Sequence, residues 1–570
     1  MDINCIGIPF ARFPGRFIIF YKLNFTESSR LKVIEMDKAT GTDYNYNYNY
    51  FTYNEAIIVS FDSLKTMKVQ NKRKISVIKI TFNHLTSLDG DWGHSKDALT
   101  NAFFGDNSII EIPKIFNTFE SLAWLNLDNN NIEELVEDSL PPNIHTLSLN
   151  SNLLKSFPSS LKSLRHLTWL YLRGNDFKSL ELPDFQSSNL ELVDVSENCI
   201  EWIGTLSLTN RTLKIKDFNL DRLEDMLEYL NLENNDLSSV PAAVSRLKKL
   251  SYLYLANNDI RNISGDAFYE FAENLRALSL ATNSLDAVPV AAVTRCTFTL
   301  RHLETLNLRN NKIESLRKQS FHGLELLQQL DLSGNQITQL STEQFRNLKN
   351  LRILNLSGNK IRSLPRDVFE GTKLEILDLS KNKFTVVPSP SFLEVGYTLR
   401  DLNLADNFVD HLDSTAFPTS QLVSLNLAHN RLTILPDNSF VSLGKLLSLN
   451  VSQNILQANF KELFHYLPGL RQLYLANCGL RDIPLLPLTN LNVLDLSFNH
   501  IHSTSDKQFQ YLKDLKILWL VNDSLTSMPN VKLSLLRELD VSGNPIEVSS
   551  LIVFLSIYTI FSFSFKSFEE

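Results

Sequence analysis

Cysteine is scarce in this chain of 570 residues: Cys5, Cys199, Cys296 and Cys478 are scattered and form no CxxC pair. Neither a zinc site nor a disulfide framework can be read from such spacing. An excess of positive charge is also missing, since 55 Lys and Arg face 63 Asp and Glu, for a net charge of -8. With no long basic run either, the balance argues against a general nucleic-acid binder, whose affinity comes from neutralising phosphates. Catalytic signatures are absent as well. There is no GxxxxGK[ST], no GxGxxG after a strand, no HExxH and no GxSxG, so phosphate cradles, zinc-protease chemistry and the serine-hydrolase elbow are without support. His500 and His502 in FNHIHS have no carboxylate or cysteine cluster beside them and are read as exposed loop residues. No catalytic residue, metal or cofactor is expected.

What the chain has instead is self-similarity. LETLNLRNNKI (Leu303 to Ile313), LQQLDLSGNQI (Leu327 to Ile337), LRILNLSGNKI (Leu351 to Ile361), LEILDLSKNKF (Leu374 to Phe384), LRDLNLADNFV (Leu399 to Val409) and LVSLNLAHNRL (Leu422 to Leu432) share one template. Counted from the first leucine, apolar residues fall at places 1, 4, 6 and 11 and asparagine at place 9. Successive starts lie about 21 to 25 residues apart, the spacing of leucine-rich repeats. The array opens at Ile75, closes at LRELDVSGNPI from Leu536, and holds roughly twenty repeats.

The spacing has a physical cause. Alternate side chains of a strand face opposite ways, so Leu354 and Leu356 point into the core while Ile353, Asn355 and Ser357 point out. Asn359 stands where the strand turns into a loop that buries its own backbone, and an amide side chain supplies both donors and an acceptor there. Stacked repeats are expected to carry an asparagine ladder through Asn311, Asn335, Asn359, Asn382, Asn407 and Asn430. Cys478 and Asp523 take that place in two later repeats. In the closing turns, of the form LPxxxFxxL, Leu364 and Phe369 are expected to pack the convex side. The fold class is an α/β solenoid: a leucine-rich repeat horseshoe with a parallel β-sheet on its concave face and irregular or 3-10 turns on its convex face.

Three regions follow: a non-repeat, partly low-complexity segment 1–74, the array 75–547 with irregular spacing from Glu201 to Met226, and a hydrophobic tail 548–570. The first contains DYNYNYNYF (Asp43 to Phe51), an alternating polar and aromatic run. The N-terminus is broken by Arg12, Pro14 and Arg16 and makes a poor secretory signal. The tail is uncharged from Val548 to Phe565, about eighteen residues and thus at the lower bound for a membrane span. It then ends in KSFEE, the wrong terminus for a lipid-anchor signal.

Binding is expected on the concave face. Rows of outward side chains there are spaced roughly 4.8 Å apart and add up to an arc of about 100 Å, a surface suited to a protein partner. In mid-array the outward places are small or polar: Asn355, Ser357, Ser380, Asn403, Ala405, Asn426 and Ala428. Asp331, Asp378, Asp495 and Asp540 read as an ordinary solvated face. Toward the N-terminal half stand Trp124, Trp169, Tyr171, Tyr229, Tyr252 and Tyr254, the residue types that anchor protein interfaces. These six are the candidate contact patch. Tyr474, Phe498 and Trp519 form a thinner second group. N-x-[ST] sequons fall at Asn24, Asn210, Asn262, Asn355, Asn450 and Asn522; glycans at Asn355 and Asn450 would obstruct mid-array and direct a partner to the aromatic end.

The array resembles the extracellular class of leucine-rich repeat proteins. The segments SLAWLNLDNNNIEEL, SLPPNIHTLSLNSNLLKSFP, LTWLYLRGNDF, LELVDVSEN and LEYLNLENNDLSSVP are similar to the insect photoreceptor-cell adhesion proteins of that class. The resemblance implies a glycosylated, lipid-anchored protein on the extracellular face of the plasma membrane that joins membranes by homophilic contact, as in photoreceptor microvilli. Its partner would be protein, a second copy or another cell-surface protein. Two other readings share the fold: an ectodomain fragment of a receptor of the Toll type, and a cytosolic repeat scaffold. The shortness of the chain, its poor signals and the break at Glu201 to Met226 fit an incomplete chain as well as a divergent protein.

Overall fold

The structure, a computed structural model, describes residues 56–60 and 76–547, apart from 90–91, 159, 162–163, 182–188, 205–225, 294–299, 419 and 530–532. The DYNYNYNYF run, Asn24, Asn210, most of the irregular stretch and the tail 548–570 lie outside the described residues. The chain divides into two compact units, 1–259 and 260–570, and each is a parallel β-sheet solenoid.

In unit 1–259 the strands Ala56–Ser60, Val77–Thr81, Asn101–Phe103, Trp124–Asn126, Thr146–Ser148, Trp169–Tyr171, Leu192–Asp194, Tyr229–Asn231 and Tyr252–Tyr254 are neighbours in that order, all parallel. Place 4 of each repeat falls opposite place 4 of the next, as Leu125, Leu147, Leu170, Val193, Leu230 and Leu253 do. Strand Ala56–Ser60 stands within the segment 1–74, where AIIVS supplies the β-branched run that favours an added edge strand. The long spacing between Leu190 and Leu227 does not disturb the sheet, because Leu192–Asp194 pairs directly with Tyr229–Asn231. Its neighbouring turns form a separate two-stranded sheet from Ser179–Glu181 and Trp202–Gly204.

In unit 260–570 every repeat gives one three-residue strand, from Ala277–Ser279 to Glu538–Asp540, each parallel to the next. The core is the leucine stack: Leu351, Leu354, Leu356 and Ile361 are fully buried. On the turn side, Phe321, Phe345 and Phe369 stack nearly parallel with ring centroids 5.9 and 6.2 Å apart. Phe369 is buried while Leu364 is half-buried.

The ladder has one repeated geometry. Asn359 Nδ2 donates to the carbonyls of Leu356 and Ser357 in its own repeat and to Leu332 of the preceding one. Its Oδ1 accepts from the backbone N–H of Ile337, also in the preceding repeat. Asn335, Asn382, Asn407 and Asn430 repeat the pattern, and in unit 1–259 so do Asn130, Asn152, Asn175, Asn198, Asn235 and Asn258. Each amide thus bonds backbone groups of two successive repeats and ties them together.

Place 8, just before the ladder, is left-handed throughout. Asn129, Glu197, Asn310, Lys381, His429 and Phe498 all have φ between 50° and 60°, and Gly334, Gly358 and Gly543 have φ of 64° to 72°. A Cβ added at Gly334 would lie 2.0 Å from Asn310 Oδ1 of the preceding repeat. Gly334→Ala is therefore expected to destabilise the second unit by about 1–2 kcal/mol, from left-handed strain plus displacement of Asn310. A lower urea midpoint at unchanged slope is the expected result; an unchanged midpoint would show that neither costs anything.

The open strand face is narrower than the alternation rule implies. Ser380 and Ala405, expected to point outward, are buried. The backbone at place 7 is still bonded to the preceding repeat, with Gly358 N–H donating to Ser380 O and Lys381 N–H to Ala405 O. Repeats stay close there, and small side chains at that place are wholly or partly covered, Ser357 and Ala428 being half-buried, whereas the longer Arg173 and Arg309 reach solvent.

Candidate protein-binding face

Short strands locked in register set the positions of the six aromatic residues. Trp124, Trp169, Tyr229 and Tyr252 occupy place 3, and Tyr171 and Tyr254 occupy place 5 of their repeats. Trp169 is 46% exposed and Tyr252 38% exposed; the other four are half-buried. The structure gathers three of them closely: the Tyr229 ring centroid lies 5.3 Å from that of Tyr254 and 6.1 Å from that of Tyr252. Tyr171 stands across the intervening strand Leu192–Asp194, opposite Asp194. Trp124 is set apart, with the strand Thr146–Ser148 between it and Trp169. It packs edge-to-face on Phe103 at 5.0 Å, a partner hidden in a repeat that matches the template poorly.

Carboxylates surround these rings. Burial pushes the Tyr229 phenol up to about 12, with Tyr254, Asp194, Glu233 and Tyr171 adding to the shift. Burial likewise raises Tyr171, helped by Asp194 and Asp128, and Tyr254, helped by Glu233 and Tyr252. The phenols therefore remain neutral hydrogen-bond donors at physiological pH. Asp128 is held by Ser148 Oγ at 2.6 Å, Asn126 Nδ2 at 2.7 Å and the N–H of Asn150 at 2.8 Å. Asp194 Oδ1 accepts from the N–H and hydroxyl of Ser196. Arg173 reaches Glu197 at 2.5 Å.

The aspartates read as a solvated face have a structural task. Oδ1 of Asp331, Asp378, Asp495 and Asp540 accepts the backbone N–H two residues on, closing the end of each strand. Asn355 and Asn450 make the same turn toward Ser357 and Ser452. Of the sequons among the described residues, Asn262 and Asn522 are exposed, whereas Asn355 and Asn450 are half-buried. In the second aromatic group, Tyr474 and Trp519 flank the strand Val493–Asp495. Trp519 Nε1 donates to Glu538 at 2.8 Å, and Phe498 is 54% exposed. Among the described residues no His, Cys, Asp or Glu group is arranged to hold a metal ion, and no helix is long and apolar enough to cross a membrane.

A parallel-strand solenoid, with its leucines and asparagines committed to the core and its strand face free to vary, defines the class of leucine-rich repeat scaffolds. The chain belongs to the leucine-rich repeat family: the family model described as Leucine rich repeat matches residues 120–177, 225–285, 273–337, 333–384, 397–456, 420–480 and 489–546, and a two-copy model matches 468–508. Chaoptin of Drosophila melanogaster is 34% identical over 195 residues, covering 31% of this chain and 14% of chaoptin. Human oligodendrocyte-myelin glycoprotein is 28% identical over 174 residues, covering 29% of this chain and 39% of that protein. The matches thus span less than half the length of either relative. Among solved structures, the Drosophila Toll - Spatzle complex matches with a TM-score of 0.55 at 17% identity, over 89% of this chain and 65% of that one, a likeness of fold.

Proposed function

We propose that this chain is a cell-surface adhesion protein that binds protein partners, a second copy of itself among them, through the aromatic part of the strand face in unit 1–259. The observation that carries this reading is the set of partly exposed rings on register-locked strands, with Trp169 and Tyr252 the most open. Rings fixed in this way lose little freedom when a partner covers them, so their contact area is converted efficiently into affinity. The chaoptin match and the resemblance to adhesive members of the family support display on the outer face of the plasma membrane. N-linked glycans at Asn262 and Asn522 and a lipid anchor belong to the same proposal. Binding rather than catalysis is the activity proposed.

The test is two-colour cell aggregation. The full chain is displayed on non-adhesive cells through an added secretion leader and membrane anchor, and mixed with non-expressing cells of another colour. Clusters made of expressing cells alone are the expected outcome. Absence of clustering with surface display verified would overturn the homophilic part of the reading, and mixed clusters would point to a different partner.

A further inference from the structure

We propose that Tyr171, Asp194, Tyr229 and Tyr254 form a seat for a cationic side chain, so that the partner of this face presents a Lys- or Arg-bearing segment. The inference rests on the reading above in that the same face meets a protein, and it specifies the chemistry of that protein. Two tyrosines stand beside one carboxylate and a third extends the cluster. Tyr171 is directly opposite Asp194, whose charge reaches the phenols of Tyr171 and Tyr229. Asp194 is directly opposite Asn231, and Asn231 is directly opposite Tyr254, which lies beside Glu233. Tyr229 begins the same strand as Asn231, with its ring against that of Tyr254. Aromatic faces around a carboxylate attract an ammonium or guanidinium through the ring quadrupole as well as by charge.

The surroundings are predominantly acidic. Asp128, Asp194, Glu197 and Glu233 lie in the rows that frame the rings, and Asp194 and Glu233 are near enough to act on the phenols of Tyr229. The cation of those rows between Trp169 and Asn257 is Arg173, which is bonded to Glu197 and close enough to act on Asp194 and Glu233 as well, so that these carboxylates share one guanidinium. A partner that buries this face without bringing positive charge would strand the carboxylates away from water. For self-association this has a geometric consequence. Two copies meeting patch to patch would oppose like charges, so homophilic contact must join this face to a basic surface elsewhere on the second copy, a head-to-tail arrangement.

Two substitutions test the seat with little risk to folding. Asp194→Asn keeps the oxygen that accepts from Ser196, and asparagine already fills the same place as Asn231 and Asn307. Tyr229→Leu copies Leu192 of the preceding strand. Binding of the full chain to a dodecapeptide of alternating Arg and Gly is measured by fluorescence anisotropy, with a Glu and Gly peptide as control. The expected result is binding of the Arg peptide alone, weakened about tenfold by either substitution, the scale of a charge contact with its aromatic surround. Asp540→Asn, the same charge change in the other unit, should leave affinity unchanged. Equal affinities for Asp194→Asn and Asp540→Asn would overturn the proposal, since attraction would then follow net charge alone. In the aggregation assay, full clustering by Asp194→Asn cells alongside failure of Trp169→Ser/Tyr171→Ser cells would remove the cationic seat and keep the adhesive face. Full clustering by both would remove both.

Discussion

Asn359→Ala should lower the stability of the second unit by about 1–3 kcal/mol, the cost of one orphaned buried backbone group. The carbonyls that Asn359 serves each keep another donor: Leu332 O and Leu356 O accept from Asn335 and Asn382, and Ser357 O from the N–H of Gly334. The N–H of Ile337 bonds Asn359 Oδ1 at 3.0 Å, and Ile337 is fully buried. Alanine supplies no replacement acceptor there. Because a solenoid's stability adds up from repeats and their interfaces, the loss should also show as faster amide exchange in the repeats beginning at Leu327 and Leu351. A melting curve and exchange pattern identical to those of the unaltered chain would refute the ladder account.

Asp523→Asn should stabilise the protein at pH 7 by about 1–2 kcal/mol and have a smaller effect at pH 4. Asp523 stands in the ladder, with Oδ1 accepting the N–H groups of Asn499 and Ile501 while the buried Oδ2 has no hydrogen-bond partner. Burial raises its carboxyl to about 6, against the two backbone hydrogen bonds that favour the anion, and Asp495 adds to the rise. A carboxyl with its folded pKa above the unfolded value holds its proton better when folded. Its stabilising contribution is present below about pH 4 and lost as pH rises through about 6. Two pKa units correspond to about 3 kcal/mol, and solvent screening near the site reduces this to the smaller figure. Asparagine removes the titration and restores the missing donors. The difference in unfolding free energy between the two proteins, followed from pH 4 to 7, should grow with pH; a constant difference would contradict the assignment.

The two positions show what the primary structure reveals and what it conceals. Leucine at places 4 and 6 and asparagine at place 9 are legible because burial and backbone satisfaction admit few substitutes, so Cys478 and Asp523 stand out at once. Place 8 is not legible: Phe82, Glu197, Lys381 and Phe498 share a left-handed backbone imposed by the ladder on one side and the strand on the other. The Asx turns of Asp331 and Asp378 were equally hidden, since a capping aspartate and a solvated one have the same letter. For the binding face, the six aromatic residues could be found by alternation alone. That Asp194 sits between Tyr171 and Asn231 could not, because the long spacing from Leu190 to Leu227 conceals which strands are neighbours. Phe103 is concealed for a related reason, its repeat LTNAFFGDNSI carrying Ala102 and Phe104 where the template has leucine. The strand Ala56–Ser60 carries no leucine and asparagine signature, and only its pairing with Val77–Thr81 reveals it.

The most direct test of the central claim is aggregation of cells displaying the full chain with Trp169→Ser and Tyr171→Ser together. Both side chains lie on the open face, Trp169 exposed and Tyr171 half-buried, and the core leucine Leu170 between them is untouched. The account predicts a variant with an unchanged melting curve whose cells no longer cluster. Clusters as large as those of the unaltered chain, formed by the folded variant, would contradict it.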